Sequence, residues 1–178
     1  NKALITSAEK HEGVRFHFNE LCTGVALRTG VVYVRDERTH HTRSISLQQL
    51  IGTDGSASAV RTALLSAGRF DISQRYLDHG YKELTIPPGP GGTFMLAPNT
   101  LHIWPRGLYM LIALPNPDGS FTCTLFFPHE GEYSFSSLST PEKVHDFFSH
   151  QFSDAVPLIP NLAEAFFANP TGNLVTVK

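Results

Sequence analysis

The chain has 178 residues, a formal net charge of −2, and 41% hydrophobic and 17% charged residues. These values are typical of a globular chain that forms one domain or parts of two. The near-neutral charge provides no basic surface for nucleic acid or an anionic membrane. No apolar run approaches the roughly 20 residues that span a bilayer. We therefore expect neither nucleic-acid binding nor a membrane segment within this sequence.

The start of the chain predicts a helix followed by strands. Apolar residues up to Ala8 recur at helical spacing, and Gly13 follows them. Alternating apolar and polar residues over 14–19 predict a short strand. Residues 25–34, with Gly30 near the middle, predict a hairpin.

The next segment predicts a corner of the kind that can face a phosphate or a nucleotide. A strand is expected over 45–51, running into the glycine turn at 52–55. A helix is then expected from Ser56, with Gly68 suited to the position just after its end. A strand, a glycine turn and a helix N-terminus in succession can form an anion-binding corner of this kind. Ser58 is interpreted as a helix-capping residue, because the sequence has no nucleophile elbow around it.

The second half of the chain predicts antiparallel strands followed by helices. Strands are expected over 81–86, 101–104, 108–114 and 120–127. Asp118 and Gly119 between the last two strands are a strong hairpin signal. Thr140 followed by Pro141 is typical of a helix start. A second helix is expected over 161–168, before a terminal strand.

Patterns that would carry metal or nucleophile chemistry are weak. The chain has nine histidines, but no Cys/His cluster has zinc spacing, so no metal site is expected. Cys22 and Cys123 lie far apart without CxxC spacing, which favours free thiols over a disulfide.

One set of strand residues permits two interpretations. Met110, Ile112 and Leu114 alternate with a period of two, and Leu101 and Phe126 lie on neighbouring predicted strands. This pattern fits an ordinary sheet core best. It also fits the wall of a cavity for a flat aromatic ligand. Spacing alone does not separate the two interpretations.

An ordered series of segments resembles the kynurenine 3-monooxygenase family. This family belongs to the class A FAD-dependent aromatic hydroxylases, the para-hydroxybenzoate hydroxylase type. The segments are 52–55, 69–71, 79–88, 101–107, 112–116 and 120–126. The resemblance implies an α+β chain in two parts. Residues 1–68 would belong to an FAD-binding, Rossmann-like domain, and residues 69–178 would form a mostly antiparallel β-sheet substrate domain with covering helices.

The resemblance also implies roles for individual residues. Those implied to line a kynurenine pocket are Tyr81, Leu101, Met110, Ile112, Leu114 and Phe126. Cys22 falls where the family's chain passes the FAD adenine, and Asp54, Gly55 and Ser58 fall on the cofactor side. No residue of this chain is assigned to catalysis.

The implied activity is hydroxylation of L-kynurenine at C3. NADPH would reduce FAD, O2 would give a flavin C4a-hydroperoxide, and an OH group would pass to the substrate. The glycine-rich segments that grip FAD in the family do not occur in the sequence. We therefore expect a central fragment that neither retains FAD nor is active alone, with no metal partner.

Two alternatives remain open at this stage. The chain could belong to a hydroxylase for another aromatic acid in the same family, or it could be a stand-alone small-molecule-binding or interaction module. A cytoplasmic location is the default expectation. Membrane association in some relatives depends on a C-terminal region outside this sequence.

Overall fold

The computed structural model describes residues 2–68 and 71–178. The chain divides into two compact units. One comprises the residues up to Ser73 together with Val177–Lys178, and the other comprises Gln74–Thr176. Both units combine helices with antiparallel strands, so the predicted α+β class is confirmed.

The first unit is a three-stranded antiparallel sheet with two helices. Its elements are α1 (Lys2–Ala8), β1 (Glu20–Ala26), β2 (Val31–Asp36), β3 (Thr42–Ser46) and α2 (Ala59–Ser66), with strand order β1-β2-β3. The predicted hairpin around Gly30 is confirmed, since β1 pairs antiparallel with β2. Gly68 has a φ of +79° just after α2, the left-handed conformation that suits glycine at this position.

The predicted strand over 14–19 is wrong. Strand β1 begins only at Glu20, which pairs with Asp36. Before it, the rings of Phe16 and Phe18 stack on each other with centroids 5.8 Å apart, and both remain exposed. Alternation marks a segment that can be extended, but a strand also needs a partner for its backbone groups.

The predicted strand over 45–51 is also too long. Strand β3 ends at Ser46, opposite Val31, because its partner β2 starts at that residue. The loop 47–58 then carries the glycine turn to α2. The predicted direct succession of strand, turn and helix is therefore wrong, since β3 ends well before the turn.

The second unit is a five-stranded sheet with helices. Its elements are β4 (Gln74–Ile86), β5 (His102–Arg106), β6 (Tyr109–Pro115), β7 (Phe121–Pro128), α3 (Pro141–Gln151), α4 (Leu162–Ala168) and β8 (Thr171–Val177), with short 3₁₀ turns at Pro90–Gly92 and Val156–Leu158. The strand order is β5-β6-β7-β4-β8. All four predicted strands are confirmed, and β4 starts earlier than expected.

One face of this sheet forms the core of the second unit. Its side chains pack with those of α3, α4 and the segment between the helices. The largest fully buried members are Phe121, Phe127, Phe148, Phe152, Leu84, Ile86, Leu111, Leu125, Ile159, Leu162 and Val144. Because successive strand residues point to opposite faces, every second residue of β6 and β7 is committed to this core.

The predicted start of α3 is confirmed in detail. The Thr140 hydroxyl accepts a hydrogen bond from the Lys143 amide, and Pro141 occupies the first turn. The helix has 11 residues. Within residues 2–68 and 71–178, none of the helices has the length and apolar character needed to cross a bilayer.

The two faces of β6 predict very different costs of truncation. Leu111→Ala removes a side chain that is 0% exposed, whereas Leu114→Ala removes one that is 47% exposed. We expect Leu111→Ala to lower the free energy of unfolding by about 2–5 kcal/mol and Leu114→Ala to lower it by less than about 1 kcal/mol. Urea unfolding followed by fluorescence of Trp104, the single tryptophan, measures both. Equal losses would contradict the assignment of the two faces.

Candidate functional site

The strand register brings the implied pocket residues onto the sheet face opposite the core. Met110 pairs with Phe126, and Phe126 pairs with Tyr81. Ile112 and Leu114 follow Met110 at intervals of two residues, so their side chains lie on the same face. Leu101, the sixth residue, directly precedes β5 on the strand next to β6.

This face is open in the second unit. Leu101 and Leu114 are 49% and 47% exposed, and Met110 is 37% exposed, whereas Leu111 and Leu125 on the other face are 0% exposed. The helices of the unit therefore cover only one side of the sheet. Met110 and Leu114 therefore do not belong to the buried sheet core, so the first interpretation of the period-two pattern is wrong for them. That this wall binds a substrate stays a prediction.

The register adds face residues that sequence reasoning did not select. Ile103 pairs with Ile112, and Thr124 pairs with Ile112 on one side and with Glu83 on the other. Pro105 pairs with Met110 in the same way. The alternation that selected the residues of β6 also selects these positions on β4, β5 and β7. What the sequence lacked was the register between strands.

Tyr81 lies at the β8 side of this face. Its ring is 6.5 Å from that of Phe126, centroid to centroid. It also lies directly against Gly172 of β8, where an added Cβ would overlap the Tyr81 ring. A cavity of about 340 Å³ opens here. It is lined by Tyr81, Glu83, Leu84, Thr85, Thr122, Asn169, Pro170 and Gly172.

A second cavity of about 430 Å³ adjoins Met110 and Phe126. His79 lines it, and its Nε2 lies 2.9 Å from the carbonyl oxygen of Leu108 in the β5–β6 turn. This hydrogen bond ties β4 to a turn on the far side of β7. The cavity beside Met110 and Phe126 is mainly apolar, whereas the cavity beside Tyr81 is lined by several polar side chains.

A buried lysine holds the opposite side of β4. Lys82 is 6% exposed, and its Nζ donates to the Asn169 carbonyl oxygen at 2.7 Å. The ammonium also lies 4.9 Å from the ring centroid of Phe166. Burial lowers the pKa of Lys82 from its ordinary value. The Asn169 side-chain amide donates to the Glu83 carbonyl oxygen at 2.7 Å, so this pair fixes β4 where it carries Tyr81 and Glu83.

The residues expected on the cofactor side form the N-terminal cap of α2. The Ser58 hydroxyl accepts from the Arg61 amide at 2.9 Å and donates to Asp54 Oδ1. Asp54 Oδ2 accepts from the Val60 amide at 3.2 Å. Gly55 has a φ of +79°, and its carbonyl accepts from the Arg61 guanidinium at 3.1 Å. The predicted capping role of Ser58 is confirmed.

Cys22 and this cap flank a groove in the first unit. Strand β1 has a bulge between Cys22 and Gly24, which leaves Thr23 out of the ladder with β2. The groove is about 470 Å³ and is lined by Thr23, Gly24, Val25, Ala57, Ala59, Thr62, Ala63 and Ser66. Its small side chains and the unpaired backbone of the bulge fit one edge of a nucleotide. The sequence has no GxGxxG turn, so this groove could form only one wall of an FAD site, and its contact with FAD stays a prediction.

Metal-ligating groups and thiols were two possible reactive features of this chain. Within residues 2–68 and 71–178, no group of three or more His, Cys, Asp or Glu side chains could hold a metal ion. Both cysteines are free thiols, as predicted. Burial raises the pKa of Cys123 to about 12, so this thiol is not a nucleophile near neutral pH.

Known proteins with similar sequences agree with the implied family. The chain is 53% identical to kynurenine 3-monooxygenase from Myxococcus xanthus and 51% identical to that from Dictyostelium discoideum, each over all 178 residues. The predicted resemblance to kynurenine 3-monooxygenases is confirmed. The chain spans 38% of the length of each of these two relatives. No protein-family model matches it.

Solved structures show the same fold at low sequence identity. A tetrameric 2-methyl-3-hydroxypyridine-5-carboxylic acid oxygenase matches 99% of this chain with 44% of its own, at 17% identity and a TM-score of 0.62. A flavin-dependent halogenase matches 99% of this chain with 30% of its own, at 15% identity and a TM-score of 0.53. These similarities support the fold that the kynurenine 3-monooxygenase resemblance implied.

The contact between Tyr81 and Gly172 predicts a specific overpacking effect. Gly172→Ala drives a methyl group into the ring of Tyr81, and we expect it to cost about 1–3 kcal/mol of unfolding free energy. Gly24→Ala is the matched control, because a Cβ there meets Tyr33 Cδ2 at an ordinary 3.8 Å. In a Tyr81→Ala background the Gly172→Ala cost should shrink. An unchanged cost in that background would show that the ring is not the obstacle.

The cap of α2 predicts an acid-dependent loss of stability. The Ser58 hydroxyl and then the Val60 amide lower the pKa of Asp54 below its ordinary 3.8. The carboxylate therefore adds stability above about pH 4 and loses it as the pH falls through the lowered pKa. We expect Asp54→Asn to lower the unfolding temperature at pH 7, with the difference from wild type closing toward pH 3. Glu12→Gln, at an exposed carboxylate of the same unit, should show no such pH-dependent difference.

Proposed function

We propose that this chain is the substrate-domain section, with part of the cofactor side, of an FAD-dependent hydroxylase that converts L-kynurenine to 3-hydroxykynurenine with NADPH and O2. The observation that carries the proposal is the identity of 53% and 51% to two kynurenine 3-monooxygenases over all 178 residues. The open apolar face of the second unit supports it, because an aromatic substrate needs such a wall.

In this proposal the two units have different tasks. The first unit lies on the cofactor side, with the backbone near Cys22 and the cap formed by Asp54, Gly55 and Ser58 beside FAD. The second unit binds the substrate. When bound, FAD supplies the redox chemistry that activates O2 for transfer of an oxygen atom to the ring.

The second unit contributes binding, orientation and exclusion of water. Met110, Ile112 and Phe126 offer a flat apolar surface on which one face of the substrate ring can lie. Burial of a ring the size of a Phe side chain contributes about 1.5–3 kcal/mol. The same surface removes water from the ring carbon that reacts, which favours hydroxylation over release of hydrogen peroxide. The Tyr81 hydroxyl is placed to border this surface beside Gly172.

The function is tested on the intact protein that contains this chain. Such a protein is expected to be yellow with flavin, and its mass should be two to three times the 19.6 kDa of this chain. We expect L-kynurenine to stimulate its NADPH oxidation, with 3-hydroxykynurenine detected by mass spectrometry. If only another aromatic acid stimulates NADPH oxidation, that acid is the substrate instead of L-kynurenine. A colourless protein of 19.6 kDa would favour a stand-alone binding module. The cytoplasmic location expected from the sequence stays a prediction.

Phe126 gives the sharpest test of the substrate wall. In the flavin-loaded protein we expect Phe126→Ala to raise the Kd for L-kynurenine about 10-fold to 100-fold, the loss expected for one buried ring. The fraction of NADPH oxidised with release of hydrogen peroxide should also rise. Phe167→Ala, on an exposed helix position, is the control. Unchanged affinity together with unchanged coupling would remove Phe126 from the site.

A further inference from the structure

The open face of the second unit carries a single carboxylate. Cross-strand pairs arrange its central part in rows of Pro105, Met110, Phe126 and Tyr81, then Ile103, Ile112, Thr124 and Glu83, then Leu114, Thr122 and Thr85. Within these rows Glu83 is the one residue with a carboxyl side chain. A charge on an otherwise apolar and hydroxyl-bearing wall determines how a polar ligand can lie on it.

The backbone that carries Glu83 is held from two directions. The Asn169 side chain donates to the Glu83 carbonyl oxygen, and the buried Lys82 ammonium donates to the Asn169 carbonyl oxygen, each at 2.7 Å. Lys82 points into the core, and Glu83 therefore points to the open face. The position of the Glu83 side chain on this face is set by the core rather than by a mobile loop.

The Glu83 carboxylate is available for a ligand. It is exposed and lines the cavity beside Tyr81. In the part of the chain that the structure describes, the ion pairs involve Glu20, Asp36 and Glu37 and leave Glu83 without a cationic partner. A carboxylate is acceptor-only when ionised, so its preferred ligand group is an N–H donor, above all a charged one.

We propose that Glu83 accepts a hydrogen bond from an amino group of the substrate and thereby selects aromatic substrates that carry an amino group over aromatic acids that lack one. This inference rests on the proposed function and assigns a specificity residue within it. Glu83 and Ile112 lie two strands apart, about 10 Å in the sheet. A ring placed against Ile112 leaves its amino substituent within reach of the extended Glu83 side chain. The carboxylate of the substrate is repelled by Glu83 and is directed away from β4.

L-kynurenine has two amino groups, one on the ring and one on the α-carbon, and both are N–H donors. Two analogues distinguish them. The first, 2-amino-4-oxo-4-phenylbutanoate, lacks the ring amine. The second, 4-(2-aminophenyl)-4-oxobutanoate, lacks the α-amine. The analogue without the group that Glu83 contacts should bind equally well whether or not the carboxylate is present.

The experiment compares wild type, Glu83→Gln and Glu83→Asp in the flavin-loaded protein that contains this chain. Calorimetry gives Kd for L-kynurenine and both analogues, and steady-state assays separate KM from kcat. We expect Glu83→Gln, whose amide oxygen still accepts but carries no charge, to raise Kd and KM for L-kynurenine about tenfold, because the hydrogen bond is no longer charge-assisted. The value of kcat should change little, because the contact is made equally before and during reaction. Glu83→Asp keeps the charge on a shorter side chain, so its Kd and KM should lie between those of wild type and Glu83→Gln.

Glu132→Gln is the matched control, because Glu132 is exposed on the loop near α3. It should leave all three affinities unchanged, and FAD absorbance confirms that each variant is folded.

The proposal is supported if Glu83→Gln leaves the affinity for one analogue unchanged and lowers the affinity for the other analogue as it does for L-kynurenine. It is overturned if Glu83→Gln binds L-kynurenine as wild type does, or if both analogues lose affinity equally. If the wild type turns over L-kynurenine and Glu83→Gln changes neither Kd nor KM, this inference is overturned and the proposed function is not. Wild type that neither binds nor oxidises L-kynurenine overturns the proposed function as well.

Discussion

The second unit depends on the strict alternation of side chains along four antiparallel strands. Leu111 is fully buried between Met110 and Ile112, and Leu125 is fully buried between Thr124 and Phe126. Each residue of the open face is therefore held in register by a neighbour in the core. A slip of one residue between strands would exchange the two faces. The same packing that stabilises the fold thus builds a flat wall with defined positions for its side chains.

Strand β4 of this sheet is held by polar contacts as well as by packing. A lysine buried without a carboxylate partner is unusual, since removing a charge from water is costly. Lys82 offsets this cost with the Asn169 carbonyl and the ring of Phe166. Its position links the end of α4 to the part of β4 that carries Glu83. The core and the open face are coupled at this point by hydrogen bonds, which fix direction better than apolar contacts do.

The sequence was sufficient for elements whose signals are local. Thr140 and Pro141 marked the start of α3, and alternation located the strands of the second unit. Sequence patterns predicted strands wrongly over 14–19 and after Ser46. A strand ends where its partner strand ends, and the local sequence does not show where the partner lies. The resemblance supplied six positions on the open face. Register was needed to add Thr124 and Glu83, and the contact of Lys82 with Asn169 joins residues that lie 87 positions apart.

The central claim is that the uncovered sheet face of the second unit is the substrate wall of an aromatic hydroxylase. A crystal structure of the flavin-loaded protein that contains this chain, with L-kynurenine bound, tests it most directly. We predict that the substrate ring lies against Met110, Ile112 and Phe126, with an amino group at Glu83. Electron density for the substrate at any other surface, with this face covered by protein side chains, would contradict the claim.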